Sequence, residues 1–251
     1  MLDQKLIDRH LDSQPYGLLF VTVSGAHLYG FESADSDYDL RGCHVLPARE
    51  VFGLKALRET VEVMDKAGPV EVDLVTHDVK KFITLLMKNN GYVLEQVFSP
   101  LVVRASVEFE ELKRLAEGCI TKHHRHHFRR FADNQWEMVT KKPTAKGLLY
   151  TYRVLLAGIH LMREGRVESN LRVLNQGFGL AYLDELIAVK VGGMEKGELG
   201  AEVVEKHEGE FVRLCGVLDE AREKSGLREE VGEESRRGLE ELLVRVRMAT
   251  V

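Results

Sequence analysis

The pattern of apolar residues changes character once along this chain, and that change constrains the fold more than any other feature. Up to about residue 105, short apolar runs alternate with turn-forming clusters; from about Glu108 onward apolar residues recur at helical spacing and no strand-like run remains. Gly17 to Val23 reads as a buried strand ended by Ser24-Gly25, with a short helix or turn from Ala26 to Gly30. Asp39 to Val45 reads as a second strand stopped by Pro47. Leu57 to Met64 and Val70 to Val75 read as a hairpin around the turn Asp65-Lys66-Ala67-Gly68-Pro69. Leu6, Ile7 and Leu11 share a face of an N-terminal helix over 3–12. Thr76 is expected to cap a helix running through Met87, and Tyr92 to Phe98 forms another. Further helices are expected at 106–118, 121–139, 144–164 and 179–190, with two long ones between 198 and 248. The fold class that follows is α+β. A small mixed β-sheet core flanked by helices occupies residues 1–105, and an all-helical part occupies residues 106–251.

Composition removes several function classes. The 251 residues are 44% hydrophobic and 30% charged, ordinary for a globular protein that buries a core. Apolar runs such as Gly17 to Val23 are far too short to span a bilayer, and Met1-Leu2-Asp3-Gln4-Lys5 does not open a signal peptide, so a cytoplasmic protein without a membrane partner is expected. Cys43, Cys119 and Cys215 form no CxxC pair, which leaves no zinc ribbon or redox motif; each reads as a small core residue. The net charge of −5 argues against a surface coated for nucleic acid. Within it, Thr121 to Lys146 carries seven Lys or Arg against two acids, with four histidines. A local basic element of that kind can still meet phosphates.

The chemistry concentrates in Ser24-Gly25-Ala26-His27-Leu28-Tyr29-Gly30 and in Ser36-Asp37-Tyr38-Asp39-Leu40. Alternate residues of a strand share a face, so Asp37 and Asp39 are neighbours roughly 7 Å apart. Carboxylates so placed suit a hard cation such as Mg²⁺, which prefers oxygen ligands and keeps phosphate oxygens in its shell. A Ser-Gly at a strand exit that opens a helix presents backbone N–H groups to an anion, and Gly25 permits close approach. Ser24 adds a hydroxyl donor. A third carboxylate stands in Glu71-Val72-Asp73-Leu74, where Asp73 lies between two apolar residues and faces away from the buried side. Its expected role is to share the metal and accept the proton of an attacking hydroxyl, with Glu71, on the same face, as the fallback.

Ser-Gly, Gly30, Ser36-Asp37-Tyr38-Asp39-Leu40 and Val72-Asp73-Leu74 together resemble the DNA polymerase beta-like nucleotidyltransferase superfamily. Within it the chain is most similar to the RNA-repair-pathway polymerase-beta nucleotidyltransferases. The motifs cover roughly residues 17 to 100, and the helical part fits more loosely. The resemblance implies a mixed sheet with flanking helices and transfer of a nucleoside monophosphate from an NTP to a hydroxyl. It also implies dependence on Mg²⁺, two ions held by Asp37, Asp39 and Asp73, with Mn²⁺ as the substitute. Ser24, Gly25 and Ser36 fall on the phosphate side of the motif. The superfamily turn is commonly Gly-Ser, whereas this chain has Ser24-Gly25 followed by Ala26.

Two other clusters have a bland reading beside a sharp one. His123-His124-Arg125-His126-His127 could place histidines for a metal on one helical face, but reads better as a solvated or phosphate-facing basic stripe. Lys146, Tyr150 and Arg153 share a helix face; they are either an ordinary exposed edge or cations that close over the triphosphate. An RNA end is the favoured acceptor, on the basic 121–146 segment and the repair context that the resemblance implies. A protein hydroxyl is the enzymatic alternative, and a silent nucleotide-binding module is the non-enzymatic one.

Overall fold

The computed structural model describes residues 2–68, 70–194 and 199–250. Helix α1 (Gln4–Asp12) is capped by the Asp3 carboxylate, which accepts from the Leu6 amide. Strand β1 (Gly17–Val23) leads into the one-turn α2 (Gly25–Tyr29), closed by Gly30 in the left-handed region. Strand β2 (Tyr38–Val45) precedes the short α3 (Ala48–Val51). The hairpin is β3 (Thr60–Asp65) with β4 (Val72–Asp78); Pro69 of its turn lies outside the described residues. There follow α4 (Val79–Met87), α5 (Gly91–Val97), β5 (Val102–Ala105) and α6 (Phe109–Glu117). The remainder is helical: α7 (His124–Lys141), α8 (Ala145–Glu164), α9 (Leu171–Phe178), α10 (Ala181–Val189), a π-helical turn at Lys190–Met194, α11 (Ala201–Lys224) and α12 (Glu233–Met248).

The five strands form one mixed sheet in the order β3-β4-β2-β1-β5. The β2–β4 pair is parallel and the others are antiparallel. One face of the sheet packs on α1 through Ile7, Leu11, Val21, Val23, Leu40 and Leu74. The other face joins an apolar core that continues through Phe82, Phe109, Phe128, Leu155 and Leu218 into the helical region. Residues 39, 41 and 43 of β2 share strand parity, and Cys43 belongs to this second core. The charged side chains at Asp39 and Arg41 therefore point toward the helical region rather than toward α1.

The α+β expectation holds, with local differences that have physical reasons. Strand β4 runs three residues beyond Val75, pairing as far as His44↔Asp78 with β2, so Asp78 rather than Thr76 caps α4. Strand β5 follows Pro100 and has only four residues, too few for a periodic signal. Helix α9 is opened by Asn170, whose side chain accepts from the Arg172 and Val173 amides, and is ended by Gly179 at φ 66°. Its eight residues fell between the expected helices.

One buried ion pair ties the last helix to the sheet. Arg247 of α12 places Nη2 2.8 Å and 3.0 Å from the two oxygens of Asp78. The same guanidinium donates to the Leu46 carbonyl, and the Leu46 amide donates to Asp78. Both side chains are buried, so removal of one partner strands a charge. Arg247→Ala is expected to lower unfolding stability by about 3–5 kcal/mol, read as a lower urea midpoint.

Candidate active site

The parallel pairing of β2 with β4 decides the site. It sets Asp39 directly opposite Asp73 at the entrances of the two strands, where neighbouring strands lie about 4.8 Å apart. Two half-buried carboxylates that close repel each other unless a cation sits between them. Arg41, two residues on along β2 and so on the same face, supplies one. Its Nη2 donates to Asp39 Oδ1 at 3.0 Å and to Asp73 Oδ2 at 2.6 Å. Nη1 donates to the carbonyls of Leu40 (2.9 Å) and Asp73 (2.6 Å), and Nε to the Tyr92 hydroxyl (2.7 Å). Burial pushes the Asp39 carboxyl above the usual carboxylate range; Arg41 opposes that, while Asp73 and Asp37 add to it.

The turn after β1 closes one side. The Ser24 amide donates to the Asp39 carbonyl at 2.7 Å, and Gly25 sits at φ 61° against the Asp39 carboxylate. A Cβ at Gly25 would lie 1.8 Å from Asp39 Oδ2, so glycine is required here both by conformation and by space. Ser24 is buried, with its side chain close enough to Tyr92 to act on the phenol. Tyr92 is held in turn by Asn90, which caps α5 by accepting from the Tyr92 and Val93 amides.

The other side comes from the helical region. Asp37 and Asp39 border a polar cavity of about 290 Å³ whose lining also includes Ser36, Glu71, Lys146, Tyr150 and Lys190. Lys146, exposed on α8, is close enough to act electrostatically on Asp39. Lys190, at the π-helical turn, reaches into the loop before β2 and donates to Ser33 Oγ (2.8 Å) and Ser36 Oγ (3.1 Å). The Glu71 carbonyl accepts from the Tyr38 amide at 2.9 Å and fixes the Asp37–Asp39 segment beside β4.

Of the residues expected from sequence, Asp37, Asp39, Ser36 and Lys146 meet at this cavity, with Gly25 behind Asp39 and Asp73 joined to Asp39 through Arg41. Arg153 goes elsewhere. It is buried under Tyr29, 4.1 Å from the ring centroid, and ion-paired with buried Glu95. The helix face that starts in the cavity at Lys146 turns into the core by Arg153. The basic stretch on α7 is also engaged: Arg125 and Arg129 pair with Asp219, Lys122 and His123 with Glu229. His124 is fully buried, and His127 packs against Gly91 and Phe128. Part of that stretch is therefore held against acids elsewhere in the chain, while His126 and Arg130 are exposed. Arg41, Tyr92 and Lys190 were not singled out from sequence. Arg41 carries a signal, a charge on the acidic face of an otherwise apolar strand; Tyr92 and Lys190 carry none.

Among the described residues, no three or more His, Cys, Asp or Glu side chains converge as a metal cage. No helix among them is long and apolar enough to cross a membrane.

Comparison with known proteins shows the family. Residues 2–245 match the model of RlaP, the RNA repair pathway DNA polymerase beta family. The chain belongs to this family. It is 30% identical over 221 residues to the uncharacterized protein MJ0002 of Methanocaldococcus jannaschii, covering 86% of this chain and 88% of that one. It is 29% identical over 120 residues to the uncharacterized protein YcgL of Bacillus subtilis, covering 45% and 44%. A solved nucleotidyltransferase-like protein from Exiguobacterium sibiricum aligns over 97% of this chain and 78% of its own at 12% identity, with a TM-score of 0.34, too distant to bear on the site. Membership places the chain in a nucleotidyltransferase superfamily and among enzymes at the family level.

Two outcomes follow from the local physics. Gly25→Ala is expected to destabilise the fold by more than about 1 kcal/mol, because a side chain is strained at positive φ and collides with Asp39. Gly17→Ala, with nothing within 4 Å of the added carbon, is the near-neutral control in the same urea titration. The second concerns acid. Burial lowers His44 and His124 to about 4, so both are neutral in the folded chain. Unfolded histidine binds its proton near pH 6.5. The unfolded state therefore holds more protons between pH 6.5 and 4, and stability should fall through that window as pH drops. His124→Gln should flatten the slope, measured as urea midpoint against pH.

Proposed function

We propose that this chain transfers a nucleoside monophosphate from an NTP to an acceptor hydroxyl, at the cavity bordered by Asp37 and Asp39; the hydroxyl oxygen bonds to the α-phosphorus and the bond to the β-phosphate breaks, so that pyrophosphate leaves. The observation that carries the reading is the convergence there of two chain regions. Carboxylates and a glycine turn come from the sheet, and Lys146 and Lys190 come from the helices about 110 and 150 residues further on. A triphosphate laid in that cavity would meet cations on one wall and a cation-binding edge on the other.

Mg²⁺ dependence is what the family implies, and the donor set fits a divalent ion in part. Asp37 is exposed and Asp39 half-buried, both with hard oxygen ligands, and Asp39 already feels the repulsion of its acidic neighbours. Mg²⁺ is usually held by one or two carboxylates plus water and substrate phosphates, so a three-residue cage is not needed. Asp37 and Asp39 would hold it. When bound, it would neutralise the triphosphate and activate an oxygen nucleophile; Mn²⁺ would serve in its place.

The chain's own groups do the rest. Lys146 binds and orients phosphate oxygens by charge; Lys190, buried and bonded to Ser33 and Ser36, holds the loop that carries Asp37 and adds positive charge behind that wall. Gly25 lets the Asp39 carboxylate lie close against the turn. Ser24, buried beside Tyr92, supports the wall rather than the substrate. Asp73 is held by Arg41 through one oxygen, and proton acceptance is assigned to the other.

An RNA end is the acceptor we favour, on the family's RNA repair pathway name; the α7 basic stretch lends less support, because Lys122, Arg125 and Arg129 are paired within the chain. The protein should be incubated with α-³²P-labelled NTPs, Mg²⁺ and either short RNAs or cell lysate. Label in RNA that is reduced by about 100-fold or more in Asp39→Asn, the scale of a damaged metal site, is the expected result. Label on protein alone would replace the acceptor, and equal labelling by Asp37→Asn and Asp39→Asn chains would sink the catalytic assignment.

A further inference from the structure

A guanidinium has five N–H donors and no acceptor. In Arg41 all five are used, on Tyr92, Leu40, the Asp73 carbonyl, the Asp73 carboxylate and the Asp39 carboxylate. The side chain is only 12% exposed. Nothing of it is left over for a phosphate, and no donor hangs free to signal a mobile arm. Swinging it out would strip a half-buried phenol, two carbonyls and two carboxylates of their partner at once.

Its Nη2 also occupies a particular point. At 3.0 Å from Asp39 and 2.6 Å from Asp73, it stands where a cation shared by those two carboxylates would stand. Paired catalytic metals lie about 3.5–4 Å apart and need such shared carboxylates. The chain itself fills that position, and Asp37 and Asp39 border the cavity beside it.

We propose that Arg41 is a fixed internal cation that takes the place of one of two divalent ions, so that the site binds a single divalent ion, on Asp37 and Asp39. The inference rests on the nucleotidyl-transfer reading above and goes beyond it in number and placement of ions. Arg41 is a positioning residue: it touches no substrate, but it orients Asp39 and Asp73 and bars an ion from between them. Tyr92 is its anchor, because it receives Nε from a helix cap 51 residues away. Two ordinary requirements of the family's chemistry, charge neutralisation and a fixed Asp73, are then met with one ion fewer.

The test is electron paramagnetic resonance of Mn²⁺ bound to the full chain, alone and with α,β-methylene-ATP. Two Mn²⁺ sharing a carboxylate give an exchange-coupled spectrum; one gives the isolated six-line pattern. The native chain should give the isolated pattern under both conditions, and Arg41→Met should give the coupled one. Asp73→Asn should leave the native pattern unchanged, whereas Asp37→Asn should abolish the bound ion. A coupled spectrum from the native chain overturns the Arg41 inference and leaves nucleotidyl transfer standing. An isolated pattern from folded Arg41→Met also overturns it, since the guanidinium would not be what excludes the second ion. Absence of any bound Mn²⁺ that depends on Asp37 removes both readings. If circular dichroism shows Arg41→Met unfolded, the native spectrum and that of Asp73→Asn decide.

Discussion

Two aspartates placed side by side on parallel strands are the constraint around which this molecule is arranged. Hydrogen bonding between β2 and β4 forces Asp39 and Asp73 into register, and like charges at that separation in a half-buried place are costly. Arg41 resolves the conflict from within the same strand. Because its remaining donors reach Tyr92 and two carbonyls, the repair also fixes α5 and the strand entrances. The acidic edge is thus held by hydrogen bonds rather than by apolar packing, which leaves its outer side open to the cavity.

The helical region serves that edge in two different ways. Lys146 and Lys190 bring positive charge to the cavity wall from α8 and from the π-helical turn. Arg153, two turns further along the same face of α8, is turned inward to Glu95 and Tyr29 and locks α8 to α5 instead. Since α5 also carries Tyr92, three residues before Glu95, the Arg153–Glu95 pair and the Arg41–Tyr92 bond both act on the same short helix. Buried charge that looks catalytic in a sequence here supports the frame on which the acidic edge rests.

The same distinction separates what could be read from residues alone from what could not. That Asp39 and Asp73 point to the same side of the sheet was legible because strand parity is a local property: alternate residues share a face whatever the rest of the chain does. Gly25 was legible because a turn at a strand exit restricts which residue can stand there. Arg153 was not, since helical spacing tells which residues share a face but not whether that face meets solvent. The cap of α4 moved from Thr76 to Asp78 for a similar reason, as β4 continues as long as β2 offers it partners.

What the sequence determined by itself was the division into a strand-bearing first part and a helical remainder, the acidic motif and the turn that precedes it. These depend on periodicity and on short-range conformational preference, both written within about ten residues. Only the tertiary structure decided that Arg41 bridges the aspartates, that Tyr92 anchors it, and that Lys190 arrives from more than 150 residues away to hold the Asp37 loop. Those are long-range contacts, set by which surfaces bury together, and no local pattern in a chain encodes the partner across such a distance.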